Sequence, residues 1–266
     1  MRYPSLAYFH GMPGGPGEWA INAPLELREA AWLADRNDPS ETVAVIAARL
    51  KSEFPDGVRV LGFSAGAFAA LHVAALVGDK VRDLHLIAPA GPLQMGSFLP
   101  DMAGGPTFRL AAGWPWLFAR LTPPAQLLAR RAPELLVQRM FATAQGDDRA
   151  LAGDLQFRAG MAEVLREGLG RDARGFTTEV LAYVEDWRDL LSRVHVPITI
   201  WQGDADNWTP PAMAHALHNA LPTSQIKILL GCSHYSTLRA AVAKICWITR
   251  RMYTYLGLRL NICYVE

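Results

Sequence analysis

Cysteine is scarce: the 266 residues contain three, Cys232, Cys246 and Cys263. An odd number cannot pair completely within one chain, and their separations match no zinc-ligand spacing. Free thiols in a reducing compartment are expected, which points to a cytoplasmic protein. An excess of charge of one sign is also missing. Lys and Arg total 26 against 25 Asp and Glu, a formal net charge of +1, and no basic run stands out. The basic stripe of a nucleic-acid surface is therefore excluded. Long apolar runs are lacking too. Each is broken by charge, Gly or Pro before it reaches membrane-spanning length, so no membrane partner is expected. Met1-Arg2-Tyr3-Pro4 runs straight into a strand-like segment, with no charged leader and apolar core.

What is present is material for a core. Apolar residues make up 51% of the chain and charged residues 19%, an ordinary globular balance. The length fits one large domain, or a catalytic domain carrying an inserted cap. Leu6-Ala7-Tyr8-Phe9 reads as a strand ending in a Gly/Pro-rich loop, His10 to Gly17, with a helix over 18–28. A strand at Ala30–Ala34, a helix from Ser40, a strand at Val58–Gly62, a helix over Ala65–Val77 and a strand over Val81–Ala88 follow. Strand and helix alternate with short connections, which predicts a mostly parallel sheet with helices on both faces. From about residue 93 the pattern becomes helical, and sheet character returns only at Val196–Trp201. A helix at 211–220, a last strand at Ile226–Leu230 and a final helix complete the order. The expected division is an α/β core from 1–92 and 190–266, with a helical cap insertion at 93–189. The tail 256–266 fits no pattern.

Gly62-Phe63-Ser64-Ala65-Gly66 joins a predicted strand to a predicted helix, the context a nucleophile elbow requires. Its turn is sharp enough to need small residues on both sides and presents the Ser64 hydroxyl at its tip. The loop His10-Gly11-Met12-Pro13-Gly14 ends an earlier strand on the same sheet edge. The N–H groups of Met12 and Ala65 are the expected donors to an oxyanion. The loop lacks the Lys and Ser/Thr of a P-loop and the glycine spacing of a dinucleotide fingerprint. Asp204 and Asp206 compete for the role of acid, and spacing from Gly203 favours Asp206. Of seven histidines, only His234 sits on a loop at the expected sheet edge. His72, His215 and His218 fall within helices, His85 in a strand, and His195 just before one. Ser64, Asp206 and His234 then form a nucleophile, acid and base in the order that acyl transfer by an activated hydroxyl uses.

These motifs, GFSAG, HGMPG, GDAD and GCSH, resemble those of the α/β-hydrolase superfamily over about 225 residues. The resemblance implies an α/β-hydrolase fold whose N-terminal strands are shortened. The oxyanion loop is similar to that of proline iminopeptidases, but Met12 stands where those carry Gly, and the elbow lacks their Trp. Such peptidases hold the substrate amine with cap carboxylates, for which Glu163, Glu167, Glu179 and Glu185 are in the right region. The leading expectation is a carboxylic ester hydrolase with a small or medium apolar substrate. Amide, lactone or C–C hydrolysis on the same triad is the alternative, and a non-catalytic receptor the non-enzymatic one. Gly11, Phe63, Trp114 and Trp116 are expected to contact substrate. No cofactor and no metal are implied, and a homodimer is left open.

Overall fold

The computed structural model describes residues 5–255. The tail 256–266 and Cys263 lie outside the described residues. Strand β1 is Leu6–Phe9, β2 Ala31–Ala34, β3 Val58–Phe63, β4 Val81–Ile87, β5 Ile198–Gly203 and β6 Ser224–Leu229. They form one sheet in the order β2-β1-β3-β4-β5-β6. Every pairing is parallel. Central strands of such a sheet are covered on both faces, so they read as unbroken apolar runs rather than alternating ones. Leu6-Ala7-Tyr8-Phe9 is buried throughout, as is Ile198–Gly203.

Helix α1 is Glu18–Asn22, α2 Val43–Glu53 and α3 Gly66–Val77. The expected helix over 18–28 is shorter because Pro24 follows its end, and a 3₁₀ turn at Leu25–Leu27 replaces the rest. Thr42 caps α2 by accepting from the N–H of Val45. Between β4 and β5 the chain forms only helices and 3₁₀ turns. The α-helices are α4 Gly105–Gly113, α5 Pro115–Arg131, α6 Pro133–Met140, α7 Asp148–Gly153, α8 Leu155–Glu167 and α9 Ala173–Val184. Helix α10, Pro211–Ala220, and α11, His234–Tyr255, complete the order.

Two apolar cores follow, one on each face of the sheet. Ile46 and Leu50 of α2, the small residues of α3, and Met213 and Leu217 of α10 pack on one face. Trp19 of α1, Phe157 and Met161 of α8, and Leu238 and Val242 of α11 pack on the other. Among the described residues no helix is long and apolar enough to cross a membrane.

The connection β1→β2 leaves to one side of β1, whereas β3 lies on the other side. The strand order therefore reverses between β1 and β3. In open parallel sheets, the crevice outside the carboxyl ends of such strands is where ligands bind. The Gly/Pro loop and Ser64 are the two segments that leave the sheet there.

Trp19 anchors the short α1 beneath this crevice. Its ring packs 4.8 Å from that of Tyr8, and its Nε1–H donates to the Leu27 carbonyl. Trp19→Ala is expected to lower the unfolding free energy by about 3–5 kcal/mol in a urea titration.

Candidate active site

Strand β3 ends at Phe63 and α3 begins at Gly66, so two residues make the whole reversal. Ser64 takes φ 54°, a left-handed conformation that costs free energy in a residue with a Cβ. It persists because neighbours hold the peptide on both sides. The Ser64 N–H donates to the Ile87 carbonyl, and its own carbonyl accepts from the N–H groups of Ala67 and Ala90. A Cβ at Gly66 would lie 2.2 Å from the Phe9 carbonyl oxygen, so only glycine lets α3 start this close to β1.

The loop after β1 is fixed from below by Glu18. This side chain is fully buried and accepts from the Gly11 N–H at 2.8 Å and the Tyr8 hydroxyl at 2.7 Å. Burial raises the Glu18 pKa, and the two donors offset only part of that rise. His10 is buried, with Nδ1 2.8 Å from the Gly11 carbonyl oxygen, and burial lowers its pKa well below the usual histidine value. Arg36 donates to the His10 carbonyl and pairs with Glu179 of α9. His10 is thus part of the loop's support. With the Gly11 N–H committed to Glu18, Met12 is the next residue along. Met12 and Ala65 both border the cavity beside Ser64. Ala65 also stands at the N-cap of α3, the positive end of a helix dipole.

Asp206 lies in the turn after β5. Its Oδ1 accepts from the N–H groups of Trp208 (2.8 Å) and Thr209 (3.0 Å), and its Oδ2 is 2.9 Å from His234 Nδ1. The two side chains are 0% and 1% exposed. The imidazole stacks on Trp208 at 5.7 Å and packs 4.7 Å from the ring of Phe63, the residue before Ser64. Burial alone would lower the His234 pKa. The charge and hydrogen bond of Asp206, with the charges of Asp148 and Glu18, outweigh it, and the net shift is upward. Asp204 is exposed and accepts from the Gly231 N–H at 2.8 Å, which ties the two loops together. The pairing with His234 therefore falls to Asp206, and the turn-shaping role to Asp204.

A cavity of about 390 Å³ opens at Ser64. The loops after β1, β3 and β5 supply Met12, Ala65 and Trp208, and the helical stretch between β4 and β5 supplies Met102, Phe108, Met140 and Phe176. Two expectations need correction here. Trp114 and Trp116 are 57% and 68% exposed and line no part of this cavity. Helix α5 buries Phe118, Thr122 and Ala129, which turns Trp116 outward. Gly11 and Phe63 are not in the lining either: Phe63 is fully buried and touches the imidazole instead. The lining residues between β4 and β5 were missed because helical periodicity cannot tell a cavity wall from a core face. Glu18 was missed too, although a Glu directly after a Gly/Pro-rich loop is a weak sign of a buried anchor.

The arrangement can carry out acyl transfer: a serine on a strained turn at the cavity wall, an imidazole oriented by a buried carboxylate, and Met12 and Ala65 bordering the same cavity. Asp206→Asn is expected to lower kcat by about 10³–10⁴-fold, because the amide no longer holds the imidazole in the required tautomer. Asp204→Asn should stay within about threefold of the parent, since its site lies on the surface. The acid limb of kcat/KM should have its midpoint above 6.5, the ordinary histidine value, because a raised pKa keeps the base protonated to higher pH. The same shift stabilises the fold fully below the unfolded histidine pKa, and that contribution is lost as pH rises through the folded one.

Residues 32–237 match the family model described as "Serine aminopeptidase, S33". A pimeloyl-[acyl-carrier protein] methyl ester esterase from Aromatoleum aromaticum is 28% identical over 243 residues, covering 88% of this chain and 92% of that protein. The enzyme of the same name from Neisseria meningitidis serogroup C is 27% identical over 235 residues, covering 87% and 82%. Among solved structures, a thermophilic esterase from Thermogutta terrifontis superposes with a TM-score of 0.63 at 15% identity, covering 95% of this chain and 90% of that one. The enol-lactonase from Burkholderia xenovorans gives 0.62 at 15%, covering 95% and 92%. The parallel sheet and the order of its motifs are those of the α/β-hydrolase fold, and the family match spans most of the chain: the protein belongs to the S33 serine aminopeptidase family of α/β hydrolases.

Proposed function

We propose that the protein is a carboxylic ester hydrolase that cleaves apolar acyl esters through an acyl-enzyme on Ser64. The observation that carries this is the buried Asp206–His234 pair set against an apolar cavity with Ser64 at its wall. His234 takes the Ser64 proton as the oxygen attacks the acyl carbon. The Met12 and Ala65 N–H groups receive the charge on the carbonyl oxygen, and His234 returns the proton to the leaving alcohol. Water activated by His234 then releases the acid. Residues 93–189 act as a cap that shapes the acyl site.

The cavity wall favours an ester over an aminoacyl amide. Aminopeptidase chemistry needs an acidic group to hold the substrate ammonium. The cavity-lining residues include no Asp or Glu, and Arg139 is their one permanent charge. Of the cap carboxylates, Glu163 pairs with Arg166 and Glu179 with Arg36. A cation at the mouth of an apolar cavity suits an acyl chain that ends in, or is attached to, an anionic group. The relatives named for a carrier-linked methyl ester accord with this, and a methyl ester on such an acyl chain is the proposed substrate class.

Treatment with a fluorophosphonate probe is expected to modify Ser64 alone, mapped by mass spectrometry. Ser64→Ala should abolish both labelling and ester turnover while leaving the circular dichroism spectrum unchanged. In a substrate panel, methyl esters of medium-chain acids should turn over and aminoacyl amides should not. Turnover of the amides with the esters inert would reverse the assignment.

A further inference from the structure

The stretch 143–148, which runs from the turn after α6 to the first residue of α7, belongs to the helical insertion, yet its polar groups reach the loops that carry Asp206 and His234. The Thr143 carbonyl accepts from Asn207 Nδ2 at 2.9 Å, next to Asp206. The Asp147 N–H donates to the Gly231 carbonyl at 2.8 Å, three residues before His234. Asp148 goes furthest. It is buried, and its Oδ2 accepts from the N–H groups of His234 (3.1 Å) and Tyr235 (3.0 Å). Its Oδ1 accepts from the N–H (2.7 Å) and hydroxyl (2.6 Å) of Ser236.

These three N–H groups are among the first four of α11, which have no partner inside the helix. A helix ordinarily meets that need with the side chain just before it. Ser233 stands there, but its hydroxyl is buried with no partner. The cap of α11 comes instead from a carboxylate 86 residues away in sequence. His234 is the first residue of α11, so whatever caps this helix also fixes the backbone that carries the imidazole.

We infer that Asp148 is a positioning residue: an aspartate of the insertion that holds the His234 backbone in register, so that a competent base depends on the insertion being seated. This rests on the reading of Ser64, Asp206 and His234 given above. The groups whose charge acts on the imidazole are Asp206 from the β5 turn, Asp148 from α7 and Glu18 from α1, with the Tyr235 ring packed against it. Removing the Asp148 charge therefore removes one of the influences that favour the protonated imidazole.

The test compares Asp148→Asn with Asp154→Asn. Asp154 caps α8 of the same insertion, accepting from the N–H groups of Gln156 and Phe157. Both variants remove the charge of a carboxylate that caps a helix. At position 154 the amide keeps the one oxygen that accepts both N–H groups, whereas at 148 it keeps only one of two accepting oxygens, and only Asp148 touches the base. With p-nitrophenyl butyrate, Asp148→Asn is expected to lower kcat by about 10- to 100-fold with KM within about twofold. It should also move the acid limb of kcat/KM to lower pH and slow fluorophosphonate labelling of Ser64. Asp154→Asn should change none of these.

A folded Asp148→Asn with the kcat, acid limb and labelling rate of Asp154→Asn would overturn the inference. If Asp148→Asn does not fold, Gly146→Ala replaces it. A Cβ at Gly146, where φ is 48°, would lie 2.3 Å from the Gly231 carbonyl oxygen, so it pushes the turn off the base loop and leaves the buried carboxylate in place. It should lower kcat in the same way, and an unchanged kcat would count against the inference. A wild-type protein that does not label at Ser64 sinks the triad reading itself. Equal labelling of wild type and Asp148→Asn sinks only the role of Asp148.

Discussion

A carboxylate taken out of water has to be met by donors from the protein, and three such groups organise the carboxyl edge of this sheet. Glu18 gathers the Gly11 N–H and the Tyr8 hydroxyl, Asp206 the N–H groups of Trp208 and Thr209, and Asp148 those of His234, Tyr235 and Ser236. Left unpaired at such depth, each would be strongly destabilising. Paired, each pins one segment: the loop after β1, the turn after β5, and the start of the helix that bears His234. The same charges raise the proton affinity of His234, so loop geometry and base strength have a common origin.

The parts of this plan legible in the sequence are those written in local pattern. The buried strands announce themselves as apolar runs, and the elbow as Gly-x-Ser-x-Gly between a strand and a helix. Asp206 was separable from Asp204 by its distance from Gly203, and His234 from the other histidines by its loop. What could not be read depends on contacts across long stretches of chain. Asp148 looks like an ordinary first-turn acid of its own helix α7, and nothing near it signals that it serves α11. Trp114 and Trp116 look like pocket aromatics, but the buried stripe of α5 leaves them on the outside. The cavity wall is made by Met102, Phe108, Met140 and Phe176, whose spacing is that of any packed helix.

The helical stretch between β4 and β5 thus serves two ends at once. One set of side chains forms the apolar wall over Ser64, and the turn at 143–148 reaches past that wall to the loops behind it. Arg139 and Thr143 stand close in sequence at the point where the two meet, and both border the cavity. A ligand that fills the cavity therefore contacts the same stretch of chain that holds the base in place.

The left-handed backbone of Ser64 has one more consequence. No local preference of the segment favours it; the carbonyl of Ile87 and the N–H of Ala90, from the next strand and its loop, hold it there. The nucleophilicity proposed for this serine then belongs to the assembled sheet and not to the free segment. A covalent titration of the hydroxyl would count molecules with β3 and β4 correctly joined. It would serve as a census of native protein, even in a sample where most of the helical content had survived partial unfolding.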